Sequence, residues 1–186
     1  MKEIVSKPKE LIDLKQEVGK LENILNKIFD EANKIFDEAL DIARKIRYRH
    51  ERSKALASIA SAMVEIGMKD EGNRLMDKAL EVTQKIKDNW KRSRALASIA
   101  SGLAKAERFD KALDIARKIR YGHERSRALA SIASGLAKAE RFDKALEVAQ
   151  KIKDNYWQSK ALASIASAMV EIGMKDEGNR LMDKAL

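Results

Sequence analysis

The chain has no cysteine, one proline among 186 residues, two histidines and few aromatic side chains. Without cysteine, disulfides and thiolate metal sites are excluded. With one proline, near the start, nothing interrupts a long helical pattern later on. The two histidines, His50 and His123, stand at the same place in two duplicated stretches. A metal or catalytic site would need them to converge with other ligands, so both are expected as exposed turn residues. No apolar run approaches the roughly 18 residues of a membrane span. The start, MKEIVSKPKE, is charged throughout and has no signal-peptide core. No segment alternates with period two, so no strands are expected. No glycine-rich phosphate loop occurs, and the glycine of EIGMKDEG fits a turn between helices.

What is present is repetition. The heptapeptide ALASIAS occurs at 55–61, 95–101, 128–134 and 161–167, with starts 40, 33 and 33 residues apart. Residues 55–80 and 161–186 are one identical 26-residue string, and 95–113 matches 128–146. The connectors are also duplicated: DIARKIRYRHERS at 41–53 returns as DIARKIRYGHERS at 114–126. Self-similarity at this period marks a helical-repeat array. Identity over 26 residues points to very recent duplication or an engineered chain. The chain stops at Leu186, where the first copy runs on into EVTQKI. An end without a polar capping helix is expected to stack on another molecule.

Each unit reads as two helices. Leu96, Ile99, Ala100 and Leu103 fall at i, i+3, i+4 and i+7, one apolar stripe. Glu107-Arg108 marks a turn, and Phe109, Ala112, Leu113, Ala116 and Ile119 form a second stripe. The 40-residue unit holds seven extra residues, close to two helical turns. They are expected to lengthen its second helix, over about 70–87, while keeping its buried face in phase.

These spacings resemble the tetratricopeptide repeat (TPR), a helix–turn–helix unit of about 34 residues. Leu96 takes that family's Trp place, Ile99 the Leu, Ala100 the small residue and Leu103 the Tyr. Ala112 takes the later Ala, and Ala116 the aromatic place. Gly67 and Gly173 match the turn glycine, which Glu107 and Glu140 replace in the other two units; the usual Pro is absent and Glu124 stands there. The resemblance covers 55–186, plus a lone second-helix match at 36–47. It implies an all-α fold, an α-solenoid of TPR-like hairpins with units starting near 55, 95, 128 and 161. It also implies a concave groove lined by the first helices. The groove rows are Ala57, Ser61, Glu65; Ala97, Ser101, Lys105; Ala130, Ser134, Lys138; and Ala163, Ser167, Glu171. The family's carboxylate-holding Lys, Asn and Arg do not carry over, so the candidate groove residues are Ser61, Ser101, Lys105, Ser134, Lys138 and Ser167.

Before the repeats lies a different pattern. Leu11, Leu14, Val18, Leu21, Leu25, Ile28, Ala32, Ile35, Ala39, Ile42 and Ile46 alternate three and four apart. That is an a/d heptad pattern. Residues 1–35 are therefore expected to form a coiled-coil oligomerisation helix and 36–186 the solenoid. Leu11, Leu14, Val18, Leu21, Leu25 and Ile28 are the candidate oligomerisation residues. Gly19 either breaks this helix or is carried within it at about 1 kcal/mol. The a and d residues leave the number of chains open.

The remaining candidate is electrostatic. Net charge is +9, and cations cluster near the connectors, Arg47, Arg49 and Arg52 in one and Arg120, Arg125 and Arg127 in its duplicate. With Tyr48, Trp90, Tyr121 and Trp157 nearby, such an edge could hold single-stranded nucleic acid. Cations at helix C-termini also complement the helix dipole without any ligand. The repeated serines have no adjacent base, so nucleophilic catalysis is not expected. The sequence therefore reads as a non-catalytic scaffold and protein-interaction module, homo-oligomeric and without cofactor or metal. Its partners would be proteins or peptides, with nucleic acid as the alternative, and it would be cytoplasmic if natural.

Overall fold

The computed structural model describes residues 7–185, with side chains from Ile12 onward. The side chain of Leu11, residues 1–6 of the expected oligomerisation segment, and Leu186 lie outside the described residues. Every regular element among the described residues is an α-helix. They are α1 (Lys7–Lys45), α2 (Arg49–Glu65), α3 (Lys69–Gln84), α4 (Asn89–Lys105), α5 (Phe109–Arg117), α6 (Gly122–Lys138), α7 (Phe142–Gln150), α8 (Asn155–Glu171) and α9 (Lys175–Ala185). The chain divides into two compact units, the first ending at Ile42 and the second beginning at Ala43. Gly19 lies inside α1.

In the second unit each ALASIAS string sits within a first helix, α2, α4, α6 or α8. These helices pack side by side in chain order. Each of α3, α5 and α7 packs against the first helix before it and the first helix after it, while α9 packs on α8. Ile99, Leu103, Ile132, Leu136 and Ile165 are fully buried between them, as are Ala60, Ala100, Ala133 and Ala166. The alanines are needed because a larger residue would hold the paired helices apart.

The turn inside each hairpin has one geometry and two chemistries. Gly67 and Gly173 adopt φ +93, and Glu107 and Glu140 adopt φ +57 at the equivalent position. Around Gly67, its N–H donates to Val64 O at 3.0 Å and the Met68 N–H donates to Met63 O at 2.9 Å. The same pair recurs around Glu107, from Glu107 to Ala104 O at 3.1 Å and from Arg108 to Leu103 O at 2.9 Å. This is the Schellman closure, which satisfies the last carbonyls of the first helix and requires a left-handed residue. A glutamate there carries the Cβ penalty that glycine avoids. Glu107→Gly and Glu140→Gly should therefore each stabilise the fold by about 1 kcal/mol. In a chain of this size each would raise Tm by roughly 2–4 °C, and calorimetry of the single and double variants checks it.

The seven extra residues of the 40-residue unit lie in its second helix. α3 has 16 residues where α5 and α7 have 9. The helix stops at Gln84, three residues short of the expected 87. Ile86 N–H closes on Thr83 O at 3.0 Å, and Asp88 is already extended as the N-cap of α4. Its carboxylate accepts from the Lys91 N–H at 2.8 Å, the usual N-cap bond. The added length brings Thr83 into the core, where its hydroxyl meets Ser53 Oγ at 2.5 Å. Both hydroxyls also reach Ala79 O, from Ser53 at 3.0 Å and from Thr83 at 2.9 Å.

Candidate interaction site

The four first helices share one face, and on it lies a groove of about 770 Å³. Its lining recurs at i, i+4 spacing, which keeps residues on one side of a helix: Ala57, Ser61 and Glu65 from α2; Ser101 and Lys105 from α4; Ala130, Ser134 and Lys138 from α6. Ser61, Ser101, Lys105, Ser134 and Lys138 are thus brought together. Ser167 is exposed on α8 and is not part of this lining. The alanines are less available than the helical rows imply. Ala57, Ala97 and Ala130 are buried, because the neighbouring first helix packs over them. The serines are partly committed as well: Ser61 Oγ donates to Ala57 O and Ser101 Oγ to Ala97 O, both at 2.9 Å. Their lone pairs remain, so these hydroxyls meet a ligand as acceptors.

The charged rim decides the chemistry. At the C-terminal ends of the first helices, Lys105 Nζ pairs with Glu65 at 2.8 Å, an exposed bridge worth little on its own. At the other end stand Arg127, Trp157 and Lys160. Lys160 lies over the Trp157 ring at 5.3 Å. Arg127 approaches the buried Glu124 at 2.9 Å and donates to Arg94 O at 3.5 Å. Trp157 Nε1 donates to His123 Nε2 at 3.5 Å, and His123 Nδ1 lies 3.1 Å from Asp154. The Trp157 N–H bond to Asp154 Oδ1, and then the His123 contact, hold the Asp154 carboxyl below its ordinary value. His123 is thus a hinge of hydrogen bonds at the start of α6, joined to the start of α8. His50 is less open than a turn residue: it lies in the first turn of α2 with its side chain 15% exposed, 3.2 Å from Glu51.

Arg127, Trp157 and Lys160 are among the groove residues that the helical rows missed. A signal for two of them is visible: a cation stands directly before every ALASIAS, as Lys54, Arg94, Arg127 and Lys160. Each lies three residues before the first alanine of its groove row, one turn back on the same face. The connector set is divided accordingly. Arg127 faces the groove, while Arg47, Arg49 and Arg120 are exposed at or between helix ends and Arg52 and Arg125 are half-buried. One unit after Arg52, the equivalent Arg92 Nε donates to Ile86 O at 2.9 Å, whereas Arg52 Nε is buried without a hydrogen-bond partner among the described residues. The task of Arg92 is to satisfy a connector carbonyl.

On α1 the heptad residues are uncovered. Leu14, Val18, Leu21, Leu25 and Ile28 are each between 51% and 60% exposed. Among the described residues, no group of three or more His, Asp or Glu lies close enough to hold a metal ion. No described helix is long and apolar enough to cross a membrane. No family model, curated protein or solved structure matches the chain.

Proposed function

We propose that this chain is a non-catalytic helical-repeat scaffold, a TPR-like α-solenoid that self-assembles through α1 and offers the groove of its first helices to a protein partner. The observation that carries the reading is the apolar face of α1, exposed to more than half at the heptad positions Leu14, Val18, Leu21, Leu25 and Ile28. Monomeric proteins seldom expose contiguous apolar patches beyond a few hundred Å², and a three–four spacing of such residues calls for another helix. The string identity of 55–80 and 161–186 further supports an engineered or freshly duplicated array. For the groove, the Lys138, Lys160 and Arg127 side chains around an Ala/Ser floor suit acidic side chains of a partner. The nucleic-acid alternative has less support, because Arg127 leaves the connector edge for the groove and approaches Glu124.

The test compares the full chain with one lacking residues 1–30 by multi-angle light scattering. The full chain is expected to run as a multimer and the shortened chain as a monomer, both retaining helical circular dichroism in proportion to length. Equal, monomeric masses would remove self-assembly through α1 from the reading.

A further inference from the structure

We infer that α1 joins a bundle of three or four α1 helices from separate copies of the chain, rather than a two-stranded coiled coil. The inference rests on the self-assembly reading above and concerns the width of the apolar face. With Val18 and Leu25 at a, the d positions are Leu14, Leu21, Ile28 and Ile35. A seam of a and d alone spans about 60° of the helix surface at 100° per residue. Here Ile24 at g and Phe29 at e extend it on both sides. Ile24, Ile28, Leu25 and Phe29 sweep an arc of about 140°, and each is between 43% and 56% exposed. A helix with one partner covers the narrower seam; a helix with two neighbours covers the flanks too.

The a and d residues themselves are balanced: Val18 at a with Leu21 at d favours two strands and Leu25 at a with Ile28 at d favours more, so the flanks decide. A parallel pair would set Glu10 (g) against Lys15 (e) of its partner, Glu17 against Glu22, Ile24 against Phe29 and Glu31 against Phe36. The one ion pair is offset by one repulsive contact, so the flanking charges do not select a dimer. The opposite side of α1 is polar, with Lys20, Lys27 and Lys34 at c and Gln16, Asn23, Asp30 and Asp37 at f, and all are exposed. That is the outer surface of a bundle. The half-exposed apolar side chains from Leu14 to Ile42 leave on the order of 1,000 Å² uncovered per chain, above the roughly 800 Å² per partner of a stable interface. A second copy supplies the same arc in the same heptad spacing, so the occupant needs no sequence other than this one.

The experiment is sedimentation equilibrium on the full chain across a concentration series, repeated on Ile24→Lys/Phe29→Lys. Three or four times the chain mass is expected, falling to two or one in the double variant with unchanged helical circular dichroism. A stable two-chain mass for the parent would overturn the bundle and leave self-assembly standing. A one-chain mass at every concentration would overturn both. A double variant that keeps the parent's multi-chain mass would also overturn the inference, because Ile24 and Phe29 would then lie outside the interface.

Discussion

Met76→Ala should destabilise the protein by about 2–5 kcal/mol, the range for truncating a fully buried methionine. Met182→Ala should cost about 1 kcal/mol or less, as part-buried positions do. The two residues are the same position in two identical 26-residue strings. Met76 is 1% exposed, whereas Met182 is half-buried. The cover over Met76 comes from α4: a Cβ placed on Gly102 would lie 2.6 Å from Met76 Cε. The pair is therefore an internal control in which residue, neighbours in sequence and local hairpin are fixed and only the surroundings differ. Thermal unfolding is the readout. The larger change should lower Tm by roughly 5–15 °C and the smaller by a few degrees at most. Equal shifts would mean that α4 does not seal α2 and α3 as described.

The second large effect lies inside the hairpin. A Cβ on Gly72 would come 2.6 Å from Val64 Cγ2 and 2.7 Å from Ala60 O. The first contact is a methyl group that could be removed; the second is helix backbone. Gly72→Ala should cost up to about 2 kcal/mol, overpacking of about 1–3 kcal/mol being offset by a gain of about 1 kcal/mol in helix propensity. Val64→Ala alone should cost about 1 kcal/mol through lost packing. The double variant should cost less than the sum, because it reproduces the pair found one unit later, Ala104 with Ala112, both buried. All four hairpins obey this rule: Val64 with Gly72, Ala104 with Ala112, Ala137 with Ala145, Val170 with Gly178. A double-mutant cycle in chemical denaturant measures the coupling. Strict additivity would show that Val64 and Gly72 do not share a contact.

Much of the fold is legible in the residues because it is local. The helices follow from three–four apolar spacing, and the turns follow from a glycine or glutamate at a fixed distance after ALASIAS. The seven-residue insertion became helix because nearly two whole turns leave the buried face of α3 in phase. The groove was legible only in part. Helical geometry gives the direction of Ser61, Ser101 and Ser134, but not which side chains arrive from the next helix. Arg127, Trp157 and Lys160 reach the groove from the first two turns of α6 and α8, and the constant cation before each ALASIAS is the available sign. The connector arginines are alike along the chain but not in their surroundings: Arg127 approaches the buried Glu124 beside the groove, whereas Arg47, Arg49 and Arg120 are exposed, a division that their similar spacing does not reveal.

The identical strings separate the two levels. Gly72 and Gly178 meet the same neighbours, each 2.6 Å from a valine Cγ2 once a Cβ is added, because those contacts form between helices joined by one short turn. Sequence by itself determined them. Ser61 and Met76 are buried while Ser167 and Met182 are not, and Ile165 is fully buried while Ile59 is only half-covered. Those differences come from the unit stacked on each side, α4 for the first string and α6 with α7 for the last. The tertiary structure decided them, because burial between units depends on a neighbour that no residue within the string encodes.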